Sequence, residues 1–174
     1  MYIDKNNLNK IINKISLSNK PFNIFEAEII NFFDTVSNKI LSEKKYKEFP
    51  DLVAFGFWCR KKNLLNISKN YPQKQIGRGL VFHLSPSNVP LNFAFSLAFG
   101  LLSGNSNIVR LPSIEFSQVK LISNLINKII NKKKFKNLKK KIFLISYNRS
   151  EEISRALSLK SDARMIWGGD ETIK

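Results

Sequence analysis

Three short polar loops carry the residues best suited to chemistry. The first is Ser85-Pro86-Ser87-Asn88-Val89-Pro90, between an apolar run and a helical pattern. An asparagine beside a helix start offers a side-chain N–H donor where backbone N–H groups are also free, and a donor held there can stabilise an oxyanion. Asn88 can equally be a plain cap for the helix that Pro90 opens. The second loop surrounds the stretch Gly104-Asn105-Ser106-Asn107-Ile108-Val109-Arg110-Leu111-Pro112-Ser113. Gly104 suits a left-handed helix end. Arg110 emerges at a strand end as a planar, bidentate ligand for phosphate, or as an ordinary surface arginine. The third is Trp167-Gly168-Gly169-Asp170-Glu171-Thr172. Paired glycines let backbone approach a phosphate at a helix N-terminus. The spacing is not Gly-x-Gly-x-x-Gly, and Asp170 can be only an N-cap.

Other reactive residue types read as structural. His83 lies inside an apolar strand, where a satisfied core histidine is the expectation. Cys59, the one cysteine, follows Trp58 and precedes Arg60-Lys61-Lys62. A neighbouring cation can lower a thiol pKa, but no histidine or second cysteine accompanies it, so an ordinary helix cysteine is expected. No Cys/His cluster has metal-ligand spacing.

The elements that must position these loops follow from periodicity. Residues 3–17 and 24–41 carry apolar side chains at helical spacing, Ile11, Ile12 and Ile15 in one set and Phe25, Ile29, Phe32, Phe33, Val36 and Ile40 in the other. Residues 51–66 form a third helical pattern. At Pro72 the texture changes, for the first 70 residues hold only Gly56 among the glycines. Strands are expected at Gly79–Leu84, Asn107–Leu111, Ile142–Ser146 and Arg164–Trp167, with helices at Pro90–Ser103, Ser117–Asn131 and Ser150–Leu159. That alternation predicts an α/β fold, a Rossmann-like open parallel sheet with right-handed crossovers. Ligands of such sheets bind at the carboxyl ends of the strands, where all three loops lie. Residues 1–70 form an N-terminal helical segment and 71–174 a partial nucleotide-binding domain. The chain reaches Lys174 just as another helix is due, which reads as a fragment.

Composition narrows the class. The 174 residues are 43% hydrophobic and 11% aromatic, enough to build a core and too much for a disordered chain. A single cysteine excludes an intrachain disulfide and fits a reducing cytoplasm. No stretch reaches the ~18–20 apolar residues of a membrane span, and no signal peptide opens the chain. The net charge of +16 invites a basic nucleic-acid-binding module as the alternative. The basic residues are spread along helical surfaces, and Lys, Asn and Ile together are abundant. Only Lys132 to Lys141 is dense, and it reads as a solvated helix end and loop. A nucleic-acid surface would need lysines gathered on one face with exposed aromatics between them.

Taken in order, Gly79 through Phe93, Gly104 through Ser113 and Asp162 through Asp170 resemble the acyl-CoA reductase (LuxC-type) family. This is the fatty-acid reductase of bacterial bioluminescence and its relatives. The likeness is close over about residues 76–174 and loose before them. That family is similar in fold to aldehyde dehydrogenases. The resemblance implies that Asn88 donates to the thiohemiacetal oxyanion, with Ser87 standing where the superfamily commonly has Trp. It implies that Arg110 replaces a lysine touching the adenosine ribose, and that Gly168-Gly169 meet the pyrophosphate. Ser85, Pro86, Ser87, Arg110, Pro112, Ser113, Gly168, Gly169 and Asp170 are thereby assigned to NADP(H).

The superfamily often has Glu, binding a ribose 2′-hydroxyl, where Ser113 falls here. A carboxylate there repels a 2′-phosphate, whereas Ser113 does not and Arg110 attracts one, so NADPH is expected over NADH. The implied reaction is attack of a cysteine thiolate on a fatty acyl-CoA thioester, loss of CoA, and hydride reduction of the acyl-enzyme to aldehyde. Cys59 precedes the first strand and is in the wrong segment. The nucleophile belongs to a catalytic domain that these residues lack, and the chain alone is expected to be inactive. Further implications are an acyl-protein synthetase-type partner and self-association, with no metal and no nucleic acid.

Overall fold

A computed structural model describes residues 1–4, 6–14, 20–72 and 74–169. Ile15 to Leu17 of the first expected helix, and Asp170 with the residues after it, lie outside the described residues. The N-terminal helices are α1 (Leu8–Lys14), α2 (Ala27–Ser42), the single turn α3 (Lys44–Lys47), α4 (Pro50–Trp58) and α5 (Lys61–Ser68). Along α2, Ile29, Phe32, Phe33, Val36 and Ile40 fall on one face and are fully buried. Gly56 of α4 lets that face approach closely, since a Cβ there would stand 2.9 Å from Ile40 Cγ2. Beside it, Ser37 Oγ donates to the Gly56 carbonyl at 2.7 Å.

The single helix expected over 51–66 is broken at Cys59 and Arg60. The break is stabilised from a distance. Asp34 of α2 accepts from the Lys61 backbone N–H at 2.9 Å, capping α5, and Asn63 Nδ2 donates to the Trp58 carbonyl at 2.7 Å. No local signal announces caps that come from another helix. Nor does a helix begin at Ile3. Met1 to Ile3 instead run beside a strand, with Ile3 N–H donating to the Ser146 carbonyl at 2.8 Å and Ser146 N–H to that of Met1 at 2.9 Å.

The second part alternates strictly: β1 (Leu80–Leu84), α6 (Asn92–Leu102), β2 (Ser106–Arg110), α7 (Ser117–Ile130), β3 (Ile142–Ile145), α8 (Glu151–Lys160) and β4 (Ala163–Ile166). The sheet is parallel throughout, in the order β3-β2-β1-β4. The fold is therefore α/β and Rossmann-like, and every expected strand and crossover helix is present within a residue or two at its ends. Gly104 ends α6 with φ +79°, where a side chain would be strained. Ser150 caps α8, its Oγ accepting from the Ile153 N–H at 3.3 Å.

Strand alternation divides the core between the two faces of the sheet. Val109 packs with α2, α4, α6 and α7. Leu80, Phe82, Ile108 and Ile145 pack with α1, α8 and Ile3 on the other face. The N-terminal helices thus share a core with the crossover helices. Among the described residues no helix is long and apolar enough to cross a membrane.

The basic block departs from a simply solvated segment. It forms two 3-10 turns, Lys133–Phe135 and Leu138–Lys141, anchored by buried Phe135 and Leu138. Lys141 is only 1% exposed. Its Nζ donates to the Lys20 carbonyl at 2.6 Å and to Ser106 Oγ at 3.3 Å, and lies over the Phe22 ring. Burial lowers its pKa.

Candidate functional site at the carboxyl ends of three strands

The chain leaves β1 for β2 and β3, then crosses back to lay β4 on the other side of β1. The reversal falls between β1 and β4, where open parallel sheets leave a crevice for ligands. In register, Leu84 stands opposite both Arg110 and Ile166. The loops after these residues, 85–91, 111–116 and 167–169, accordingly leave three adjacent strand ends. All three chemistry-bearing loops picked out by residue type meet this one edge.

The first two loops touch. Ser113 Oγ donates to Ser87 Oγ at 3.0 Å. Ser85 is buried and its hydroxyl has no hydrogen-bond partner among the described residues. Asn88 is exposed within a turn, and the N-cap position of α6 is Leu91, which makes no side-chain cap bond. Pro86 and Ser87 are half-buried, Pro112 buried and Ser113 exposed.

Arg110 is held in place. Its guanidinium lies over the Tyr147 ring, 4.5 Å from the centroid, and Nη2 donates to the Tyr147 carbonyl at 3.3 Å. Its Nε is buried and has no hydrogen-bond partner among the described residues. A buried cationic donor left open in this way is costly unless a further acceptor arrives. Burial raises the Tyr147 pKa, partly offset by a hydrogen bond to Ser154 and by the charge of Arg110. The nearby Glu115 carboxylate is engaged by Lys120 at 2.6 Å. A cavity of about 280 Å³ opens here, lined by Tyr2, Pro112, Ser113, Phe116, Lys120 and Tyr147 among others.

The third loop starts from a fixed residue. Trp167 N–H donates to the Leu84 carbonyl at 3.0 Å, and its indole N–H to Ser96 Oγ at 2.9 Å. Gly168 and Gly169 then lie exposed, and a Cβ added to Gly169 would meet nothing within 4 Å. Among the described residues nothing stands against a side chain there, which leaves space on that side of Gly169.

His83 is the satisfied core histidine expected: fully buried, Nδ1 2.8 Å from Ser96 Oγ and Nε2 2.8 Å from Asn107 Oδ1. Burial pushes its pKa down to about 4, partly opposed by the Asn107 bond. Cys59 is fully buried, and burial pushes its thiol well above the ordinary range, which leaves it unreactive. Among the described residues no group of His, Cys, Asp or Glu could hold a metal ion. Two larger hollows contain neither Asn88 nor any residue assigned to NADP(H), although the first reaches Asn105 of the second loop. One of about 420 Å³ is walled by Phe25, Trp58, Tyr71 and Phe99, and one of about 850 Å³ by Phe57, Arg60, Lys62 and Lys69.

Residue types and spacing did not point to Tyr147, Ser96 or Tyr2. Tyr147 comes just after a strand end, as Trp167 does, and that position was the available signal. Ser96 was visible only as a lone hydroxyl in an apolar helix.

No curated protein and no solved structure matches the chain. The model of the acyl-CoA reductase (LuxC) family matches residues 58–174, which include all four strands and all three loops. This chain, with its Rossmann-like sheet and its loops gathered at one edge, belongs to the acyl-CoA reductase (LuxC) family.

Proposed function

We propose that this chain is the nucleotide-binding part of an NADPH-dependent fatty acyl-CoA reductase. The observation that carries the reading is Arg110: a guanidinium fixed on Tyr147 at the carboxyl end of β2, with a buried Nε lacking an acceptor among the described residues. A 2′-phosphate supplies that acceptor. The residues present fit the cofactor: Arg110 and Ser113 hold the 2′-phosphate end, and the open side of Gly169 admits the pyrophosphate. Ser85, Pro86 and Ser87 follow the end of β1, where Ser87 meets Ser113, and in this reading they border the nucleotide from that side. Bound there, the nicotinamide supplies hydride to an acyl group.

The chain's own residues orient and polarise. Asn88 presents its amide to the oxygen that gains charge when a thiol adds to the thioester carbonyl. Ser113, in the place of a carboxylate, leaves the 2′-phosphate unopposed. Each charge-assisted hydrogen bond from Arg110 contributes about 1.5–3 kcal/mol, enough for a preference of roughly 10- to 150-fold over NADH. Cys59 cannot be the acyl carrier, because it is sealed in the helical core. The acyl-cysteine forms on a thiol outside residues 1–174, in a cytoplasmic enzyme whose substrate is acyl-CoA.

The basic block offers little to a nucleic acid, for its only aromatic, Phe135, is 2% exposed and has no free face for a base. Calorimetric titration of the chain with NADPH and NADH tests the proposal. Tighter binding of NADPH is expected. Equal or tighter binding of NADH overturns the role of Arg110, and binding of neither overturns the nucleotide reading.

A further inference from the structure

Ser96 is a lone hydroxyl inside α6, fully buried among Phe93, Ala94, Leu97 and Ala98. A buried hydroxyl is costly unless it is bonded. Ser96 Oγ meets groups from three elements: His83 Nδ1 at 2.8 Å, Trp167 Nε1 at 2.9 Å and Met165 Sδ at 3.2 Å.

Hydrogen-bond inventory fixes the directions. Asn107 Nδ2 donates to the Asn105 carbonyl at 2.8 Å, so its Oδ1 faces His83 Nε2 as an acceptor. Nε2 therefore carries the ring hydrogen. In the neutral imidazole Nδ1 is then an acceptor, and as a stronger acceptor than a thioether it takes the single Ser96 hydroxyl hydrogen, which leaves Met165 Sδ as a packing contact. The indole of Trp167 can only donate, and it donates to the Ser96 oxygen. A directed series of bonds runs from Trp167 through Ser96, His83 and Asn107 to the Asn105 carbonyl. The low pKa of His83 is consistent with the neutral form this requires. Gly100, one turn after Ser96, leaves the room, since a Cβ there would run into Asn107 Oδ1 and His83 Cε1.

This series of bonds begins at the residue that launches the glycine turn. Gly168 and Gly169 have no side chains with which to anchor themselves. Their starting point is set by the Trp167 backbone bond to Leu84, by its ring stacked on Phe99 with centroids 6.1 Å apart, and by the indole bond to Ser96. We propose that Ser96 is a positioning residue for nucleotide binding, setting the Gly168-Gly169 turn against a pyrophosphate through the indole N–H of Trp167. This role rests on the nucleotide reading of the cleft.

The test compares Ser96→Ala, Trp167→Phe and the double variant in the full chain, each titrated with NADPH and with 2′-phosphoadenosine, which lacks the pyrophosphate. Trp167→Phe keeps a ring against Phe99 while removing the indole donor and some ring volume, so it serves should Ser96→Ala fold poorly. Each single variant is expected to bind NADPH about 3- to 10-fold more weakly, the range for one lost hydrogen bond. Binding of 2′-phosphoadenosine stays unchanged, and the double variant is no worse than the singles because both remove the same bond. General destabilisation would weaken both ligands together, and that result overturns the inference. So does wild-type NADPH affinity in the variants. A wild-type chain that binds neither ligand overturns the nucleotide reading itself, and this inference with it.

Discussion

The Arg110 guanidinium lies over the ring of Tyr147, with its central carbon 4.5 Å from the ring centroid, and Nη2 reaches the carbonyl of the same residue. Two contacts to one neighbour restrict a side chain that otherwise loses much rotamer entropy on binding. Arg110→Gln is therefore expected to weaken NADPH binding by roughly 10- to 150-fold and to leave NADH within about 3-fold. Tyr147→Leu keeps Arg110 and removes its platform, an effect of about 0.5–2 kcal/mol on NADPH alone. Fluorescence titration with both nucleotides separates the cases. Equal losses for NADH and NADPH would show that neither residue reads the 2′-phosphate.

Ser113 gives the complementary experiment. Ser113→Glu puts a carboxylate next to Ser87, on the loop that follows Arg110. It is expected to lower NADPH affinity at least about 10-fold and to hold or improve that of NADH, reversing the preference. Retained NADPH preference would place the 2′-phosphate away from this loop.

The isolated chain is expected to bind nucleotide without turnover. Incubation with acyl-CoA and NADPH should yield no aldehyde by gas chromatography. Cys59→Ala should leave NADPH binding within about 2-fold, since the thiol serves only as a small apolar filler in the core. Aldehyde formation that Cys59→Ala abolishes would sink the assignment of the nucleophile to another segment.

His83 predicts a pH dependence of stability. Its pKa is about 4 in the folded chain, against an ordinary value of 6.5. The unfolded chain protonates below pH 6.5 while the folded one resists until about pH 4, so the unfolded state binds more protons in that window. Stability is unaffected by this group above about pH 6.5 and falls as pH drops toward 4, by about 3 kcal/mol at full extent. Urea unfolding at about pH 7 and about pH 4.5 should show wild type losing clearly more than His83→Gln. Equal losses would mean that His83 does not titrate in this window.

Lys141 is expected to contribute to stability despite sitting in a run of lysines. Lys141→Ala removes its bonds to Lys20 and Ser106 and its packing on Phe22, for a loss of about 2–4 kcal/mol. Lys140→Ala, at an exposed position, should stay within about 0.5 kcal/mol. Denaturant midpoints for the two variants decide between a structural lysine and a solvated one.

Local pattern was sufficient for the sheet because its signals are local. Val81 and Ile108 sit in short apolar runs bounded by glycine and proline, and α7 declares itself through Val119, Ile122, Leu125, Ile126 and Ile129. The departures share a different physics. The break at Arg60 depends on Asp34, which caps Lys61 from 27 positions away, and the burial of Lys141 depends on Lys20 and Phe22. Such partners leave no trace in the periodicity of either segment. The same holds at the site. Arg110, Asn88 and the paired glycines stood out by residue type at strand ends. Tyr147 beneath Arg110, and Ser96 beneath Trp167, are defined by contacts across 37 and 71 positions.

The pairing of Met1 to Ile3 along β3 bears on solubility. β3 is the last strand on its side of the sheet, and an uncovered outermost strand is a template for other chains. Tyr2 and Ile3 occupy that position at Ser146 and tuck an isoleucine under α8. Proteolytic loss of only these few residues would bare the outermost backbone groups near Ser146 and promote intermolecular β-pairing, with the rest of the fold unaltered.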